Sequence, residues 1–432
     1  MKIHLHDIKT SKLKNLQLKQ LQKIAHKAYT RIPFYHQRFQ EIGITPDDIQ
    51  SLDDIKHLPF TTKDDLRIQY PYSGFAVSMK DIVRLHASSG TTGKPVVAGY
   101  TARDLDIWAE LVARICKWAG VTAEDIAQIS FGYGLFTGGF GLHQGLEYLG
   151  ATVVPFSSGN TERQLALMKD FGTTVLVSTP SFALYMAEAA EEAGLDPRAF
   201  PLRLGLFGGE PCLPAMRKEI ENKWELKATV NYGLTEVIGP GVSGECSAGK
   251  GMHISEDHFL PEIIDPKSCK NLPPGEQGEL VLTTLTKEGF PVLRYRTRDI
   301  TSLSREGCSC GNPFIKMDHI KGRTDDMLII KGVNLFPSQI EAALQQMPEV
   351  SPHYQLLLTR KKGYIVSLEV LVELSETLFT DSFRQLEKLE RKIANHLRSS
   401  LSLKLKVRLL EPKSLERTTG KAKRIIEKIV DN

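Results

Sequence analysis

TTVLVSTPSFALYMAEAAEEAGLDPRAFPLRLGLFGG, residues 173–209, decides the fold. An apolar run (173–180) gives way to a helical stretch (181–193), and a second short run, LRLGLFGG (202–209), follows. Strand, crossover helix, strand is the unit from which parallel sheets are built. The alternation extends outward. IVRLHAS (82–88), VVAGYT (96–101) and TVVPFS (152–157) read as strands, with helical stretches at 103–118 and 161–171. Residues 12–50 read as helical around Leu16, Leu18, Leu21, Ile24 and Ala25. A large N-terminal α/β domain with parallel-containing sheets is expected.

After about residue 320 the texture changes. GRTDDMLIIKGVNLFP (322–337) reads as a turn and a β-hairpin, and Ile340, Ala343, Leu344 and Met347 keep helical spacing. Val366, Leu368, Val370, Val372 and Leu374 alternate as a half-buried strand, while Leu386, Leu389, Ile393, Leu397 and Leu401 mark one helix face. A strand at 403–410 and a last helix at 421–430 complete a small α+β domain. The polar run Arg323–Asp326 divides the chain into 1–324 and 325–432.

The 432 residues carry 55 Lys+Arg against 51 Asp+Glu, with 41% hydrophobic and 25% charged residues. That composition excludes disorder and, with 34 Gly and 22 Pro, any collagen-like repeat. The Lys-rich N-terminus lacks the apolar segment of a secretory signal. The uncharged run 126–146 holds six glycines and suits a site-forming loop better than a membrane span. Six cysteines are too sparse for a disulfide framework, so reduced thiols and a cytoplasmic address are expected. From Arg384 onward the net charge is +8, leaving −4 elsewhere, which suggests a polyanionic partner.

SSGTTGKP (88–95) is the sharpest local signal. It is not a P-loop: two residues separate Gly90 from Gly93, Pro95 follows Lys94, and strands lie on both sides. Backbone N–H groups with the hydroxyls of Ser88, Ser89, Thr91 and Thr92 and the Lys94 ammonium can wrap a polyphosphate.

Further on stand NYGLTE (231–236), RYRTRD (294–299), GRTDD (322–326) and LERTTGKAKR (415–424). In this order and spacing the set resembles the adenylate-forming superfamily of acyl-CoA synthetases, and most closely its phenylacetate–CoA ligase branch. GYGLFTGGFGLHQG (132–145), AMRKEIE (215–221), EDHFLPEIID (256–265), LTTLTKEGFPVLRYRTRD (282–299) and GRTDDMLIIKGVNLFPSQIE (322–341) carry the closer likeness. It runs from about residue 25 to the end.

The resemblance implies a reaction in two steps. A carboxylate displaces pyrophosphate from ATP to form an acyl-adenylate, and the thiol of coenzyme A then displaces AMP. It implies Tyr232 against adenine, Thr235 on the α-phosphate, Glu236 on Mg²⁺ and Asp299 on both ribose hydroxyls with Arg323 beside it. Gly208, Gly209 and Glu210 would form the adenine-side loop, with Asn231 and Gly233 in the same nucleotide-binding set. Lys421 matches the family's C-terminal catalytic lysine, with Lys423 as its near rival, and Asp325 occupies the hinge about which the small, mobile domain would rotate. Lys63, in TTKDDL (61–66), is a candidate contact to the adenylate phosphate.

Tyr133, Phe136 and Phe140, set among Gly138 and Gly139, are candidates to line an aromatic slot for an aryl acid. Where relatives often read Gly-Ala-Glu-Pro-Trp, this chain has GGEPC (208–212), so the acid itself stays open. Cys246, His253, Cys308 and Cys310 suit a closed tetrahedral Zn²⁺ site of structural kind. The resemblance brings these two halves close together. Three alternatives remain at this level: a phosphoryl-transfer enzyme, a zinc-bearing nucleic-acid binder, and an adenylating enzyme that loads a different acid or a carrier-protein thiol. The leading expectation is an acid–thiol ligase using ATP, Mg²⁺ and coenzyme A, without nucleic-acid or membrane partners, and with a homodimer left open.

Overall fold

Thr179 ends the apolar run at 175–178 and starts a helix. Its hydroxyl accepts from the Phe182 N–H, and Pro180 takes the first helical position, where no backbone donor is needed. The structure is a computed structural model that describes residues 10–88, 94–325, 328–330, 333–361, 364–375, 382–401, 403–417 and 424–429.

Helices α1 (Thr10–Arg31), α2 (Pro33–Glu41) and α3 (Lys63–Ile68) come first, followed by the hairpin β1 (Arg84–Ala87) and β2 (Val97–Tyr100). The helical reading of 12–50 therefore overshoots. Beyond Glu41 the chain makes only short 3₁₀ turns, at Pro46–Asp48 and Leu52–His57, each opened by a Thr or Ser and closed back by an Asp.

Next, α4 (Ala102–Ala119), β3 (Ile126–Ile129), α5 (Thr137–Leu149), β4 (Thr152–Val154), α6 (Thr161–Asp170), β5 (Val175–Ser178), α7 (Pro180–Glu192), β6 (Leu204–Phe207), α8 (Pro214–Trp224) and β7 (Lys227–Leu234) alternate. The strands lie parallel in the order β4, β3, β5, β6, β7. Antiparallel strands extend the sheet: β8 (Gly239–Glu245), β9 (Met252–Ile254), β10 (Phe259–Ile264), β11 (Gln277–Thr284), β12 (Tyr295–Ser304), β13 (Lys316–Met317) and β14 (Gly322–Arg323). The result is one twelve-stranded sheet.

The glycine-rich run 126–146 is not one loop. It is β3, a short turn and most of α5, and its glycines let that helix approach α4 closely. A Cβ on Gly145 would stand 2.3 Å from Val112, and one on Gly141 2.5 Å from Trp108. Trp108, Leu111, Val112 and Ile115 of α4 and Leu142 and Leu146 of α5 are all buried in the main core.

The small unit comprises the hairpin β15 (Leu328–Ile330) and β16 (Val333–Leu335), then α9 (Pro337–Leu344), β17 (Val350–Lys361), β18 (Tyr364–Leu374), α10 (Phe383–Leu401), β19 (Lys406–Leu410) and β20 (Ile425–Ile429). Its sheet runs β19-β18-β17-β20 over a core of Leu356, Leu358, Val370, Val372, Ile393 and Leu397. One expectation fails here. The final element is a strand, not a helix, paired parallel to β17 with Leu356 opposite Ile425. Ile425, Ile426 and Ile429 fit either period, and the open edge of β17 decides between them. Among the described residues no helix is long and apolar enough to cross a membrane. The fold class expected from the sequence stands: a large mixed sheet domain and a small C-terminal α/β unit.

Candidate active site

The parallel pairing of β6 with β7 ends at Phe207 opposite Val230, and in open α/β sheets ligands bind beyond such ends. Asn231, near the end of β7, donates its side-chain amide to the Phe207 carbonyl at the end of β6, 2.9 Å away. Gly208 follows, where a Cβ would come within 3.0 Å of the Asn231 carbonyl. Gly209 adopts φ +82°, and Glu210 accepts from the Ser181 N–H of α7 at 2.7 Å. At Gly233 a Cβ would strike the Gly239 carbonyl, so only glycine lets β7 and β8 pair this closely.

Tyr232 donates its hydroxyl to Asp299 Oδ2 over 2.6 Å, and Arg323 Nη1 donates to Asp299 Oδ1 over 2.8 Å. Sheet register sets that second contact, since β14 pairs with β12 so that Arg323 faces Asp299. Arg323 turns its other arms onto Asp325, Nε at 2.9 Å and Nη2 at 3.1 Å, and Arg298 Nη1 reaches Asp325 at 3.5 Å. Arg294 and Arg298 both sit at positive φ (44° and 66°) in RYRTRD, a strained backbone of the kind found at binding sites. Burial raises the Asp299 pKa, while Arg323 and the Tyr232 hydroxyl hold it back.

Lys63 Nζ lies 3.1 Å from Glu236 Oε1. The start of α3 is fixed twice over. Thr62 and Asp65 form a capping box, and the Thr61 N–H donates to the Arg294 carbonyl while the Thr61 carbonyl accepts from the Arg296 N–H. Thr235 meets Thr137, at the start of α5, hydroxyl to hydroxyl at 3.3 Å. The Glu236 charge adds to the rise in the Asp299 pKa that burial causes.

Sequence reasoning missed Lys287. Its ammonium is buried, donates to the Val237 carbonyl at 2.8 Å and stands 4.3 Å from the centre of the Tyr100 ring. Tyr100 in turn donates to the Ile238 carbonyl at 2.9 Å. Together they brace the backbone just after Glu236. Burial lowers the Lys287 pKa to about 7, opposed by Asp104 and Glu236. The available signal was a lone lysine between two apolar stretches, in TLTKEGF (284–290).

Tyr133 and Phe140 meet edge to face at 5.3 Å, and the buried His86 ring stands against Phe140, Tyr100 and Trp108 at 5.5–5.7 Å. His86 Nδ1 lies 3.0 Å from the Leu135 carbonyl, and burial lowers its pKa. Gly138 and Gly139 lie in the first turn of α5, where a Cβ on Gly139 would press the Gly132 carbonyl at 2.9 Å. Phe136, the residue before that helix, is 42% exposed. Ser88 closes the base of the β1–β2 turn, its hydroxyl accepting from the Val96 N–H at 3.0 Å, and Lys94 Nζ stands 5.4 Å from the Tyr70 ring centre. Ser89, Gly90, Thr91, Thr92 and Gly93 lie outside the described residues, as does Lys421.

The AMP-binding enzyme family matches residues 18–285, and the AMP-binding enzyme C-terminal domain matches 332–428. Phenylacetate–coenzyme A ligase of Thermus thermophilus is 44% identical over 98% of this chain and 98% of its own length. That of Escherichia coli K12 is 45% identical over 98% and 97%. The chain belongs to the phenylacetate–coenzyme A ligase family. It is accordingly an acid–thiol ligase of the AMP-binding type. A crystal structure of 2-hydroxyisobutyryl-CoA ligase in the postadenylation state, 28% identical over 98% of this chain and 90% of that one, superposes with a TM-score of 0.91. The same ligase in its thioesterification state, covering 98% and 91%, gives 0.72. This phenylacetate–coenzyme A ligase family member thus holds its small unit much as the postadenylation structure does.

The family member also carries the Cys–His cluster. The ligating atoms of Cys246, His253, Cys308 and Cys310 all lie within 4.8 Å of one another. Cys246 Sγ to Cys308 Sγ is 3.6 Å, and Cys310 Sγ to His253 Nε2 is 3.4 Å. A zinc tetrahedron with Zn–S near 2.3 Å and Zn–N near 2.05 Å has S···S and S···N edges of about 3.8 and about 3.6 Å. The residues fit the ion. His253 Nδ1 lies 2.9 Å from the Phe314 carbonyl, which turns Nε2 toward the sulfurs.

Proposed function

We propose that the chain joins phenylacetate, or a close aryl acid, to coenzyme A through an aryl-acyl adenylate. One observation carries the choice of acid. The Thr137–Thr235 contact joins the helix bearing Phe140 to the motif bearing Glu236, so an aromatic wall adjoins the charged end of the site. In the first step a carboxylate oxygen attacks the α-phosphorus and pyrophosphate leaves. In the second, the sulfur of coenzyme A attacks the acyl carbon and AMP leaves.

In this reading Asp299 accepts from the ribose hydroxyls. Each carboxylate oxygen has two lone pairs, so Tyr232 and Arg323 leave acceptor capacity over. Tyr232 backs the adenine, beside the wall formed by Gly208, Gly209, Glu210, Asn231 and Gly233. Thr235 donates to the α-phosphate, Lys63 offsets its charge from the Glu236 side, and residues 88–94 cover the leaving phosphates. Lys421 is the general cation of adenylation, and Asp325, clamped by Arg323 and Arg298, is the hinge between units 1–324 and 325–432. Tyr133, Phe136 and Phe140 shape the slot for the acid.

Two metals belong to the proposal. Glu236 would hold Mg²⁺, a hard cation that neutralises phosphate charge, in exchange with the Lys63 ammonium now beside it. Cys246, His253, Cys308 and Cys310 would hold a structural Zn²⁺ with all four positions filled by protein. The test is isotopic. With ¹⁸O in the carboxylate of phenylacetate, label must appear in released AMP, and pyrophosphate release must be faster with arylacetates than with short fatty acids of equal length. Unlabelled AMP defeats the adenylate; equal rates across the panel defeat the aryl assignment.

A further inference from the structure

Helix α7 presents Glu188 and Glu192, one turn apart, and both are paired with residues of the small unit. Glu188 Oε1 lies 2.9 Å from His353 Nε2, and its Oε2 accepts from Arg417 Nε at 3.2 Å. Glu192 pairs with Lys413 at 2.5 Å. Lys413 and Arg417 stand four apart in the chain, matching the four-residue step of the helix face they meet. The inner pair is the drier one, with side-chain exposure of 14% for Arg417 and 21% for Glu188, against 48% and 54% for the outer pair.

Arg417 is also held from its own side. Its two terminal nitrogens donate to the two oxygens of Glu373, at 2.7 and 2.9 Å, and Glu373 accepts in addition from the Leu415 N–H. The guanidinium is therefore preorganised by the small-unit sheet, leaving Nε for the large unit. Burial opposes the ionised form of Glu188, yet His353 and Arg417 hold its pKa below the usual carboxylate value. The contact spans the two units, so it exists only in this orientation. That orientation is the one shared with the postadenylation relative and not with the thioesterification one.

We infer that Glu188 and Arg417, backed by Glu373 and flanked by Glu192–Lys413, form an orientation-specific latch. It positions the small unit for adenylation and must release before thioester formation. Arg417 is thus a positioning residue four places before Lys421, and the inference rests on the two-step reading given above. Glu188 and Arg417 act through His353, Glu373 and each other, by placing the small unit.

The two half-reactions separate this role from a general structural one. In Glu188→Gln/Glu192→Gln, pyrophosphate release with phenylacetate should fall at least about tenfold, the scale for losing one partner of a largely buried charge pair. Thioester formation from supplied phenylacetyl-adenylate and coenzyme A should stay within about twofold. Arg417→Met should show the same split, and Arg417→Lys should recover part of the first step. Equal loss in both half-reactions, or no loss in either, overturns the latch. Small-angle scattering supplies a readout that needs no turnover. The double variant should lose the docked arrangement that the wild type populates, and superimposable profiles overturn the latch as well. A wild type that releases no pyrophosphate with any acid instead defeats the proposed function, and scattering then still decides the latch.

Discussion

The Tyr232 hydroxyl and Asp299 Oδ2 lie 2.6 Å apart, a short contact between a phenol and a buried carboxylate. Asp299 is 6% exposed, and its other oxygen is bound by Arg323. Ionised, it is an acceptor held by two donors in a dry site, ready for further hydroxyl donors without reorganising. The arrangement ties together β7, β12 and β14, the strands of the proposed nucleotide cradle.

Asp299→Asn should raise the KM for ATP at least about tenfold, since a neutral amide offers fewer acceptor sites to a sugar diol. Stability should move the other way. Because burial raises the pKa above its ordinary value of 3.8, the folded protein binds this proton more tightly than the unfolded chain. The proton's stabilising effect is complete below 3.8 and is lost as pH rises through the raised value, so at pH 7 the charge is a cost. The Asn variant should melt at or above the wild-type temperature at pH 7. A melting point several degrees lower would count against this view.

Lys287 carries the opposite sign. Its pKa falls from 10.5 to about 7 on burial, so above pH 7 the unfolded chain holds more protons than the folded one. Its contribution to stability therefore grows as pH rises from about 7 toward 10.5. Denaturant unfolding at pH 7 and pH 9 should show the wild type gaining on Lys287→Met. Parallel profiles would mean that the ammonium is not titrating there. The Met variant also loses the brace on the Val237 carbonyl, so its Mg²⁺ requirement should rise.

Metal analysis of the purified protein should find about one equivalent of zinc, since the four ligating atoms lie within 4.8 Å of one another and the Cys246–Cys308 and Cys310–His253 pairs stand near tetrahedral edge distances. Cys310→Ser, or treatment with a strong chelator, should lower the melting temperature by about 5 °C or more while leaving the KM for phenylacetate unchanged. Less than about half an equivalent of any metal would refute the site.

Lys421→Ala should abolish formation of the acyl-adenylate yet spare thioester formation from supplied acyl-adenylate. Lys423→Ala serves as the comparison. If the Lys423 variant shows the larger first-step defect, the two assignments must be exchanged.

Much of this was legible in the chain because it is local. The strand–helix–strand order at 173–209 predicts α7 to within one residue at each end and locates β5 and β6, overshooting each strand by two residues at either end, since capping by Thr179 and apolar runs are short-range effects. The Cys and His set could be named from ligand chemistry once the family resemblance had brought its two halves together. Lys287 could not be assigned, because a lysine between apolar stretches looks the same whether its stem covers a surface or its ammonium is buried. The end of the chain was misread for a related reason. Ile425–Ile429 suits either period, and only the free edge of β17 selects a strand.

By itself the amino-acid order determined most of the elements and singled out the motif residues, because propensity, capping and ligand type act over a few residues. Tertiary structure alone decided who meets whom. Asp299 faces Arg323 through sheet register, Lys63 reaches Glu236 because Thr61 pins α3 to β12, and Glu188 meets Arg417 across 229 residues of chain. Such contacts depend on how whole elements pack, and no local pattern encodes the distance between side chains so far apart in sequence.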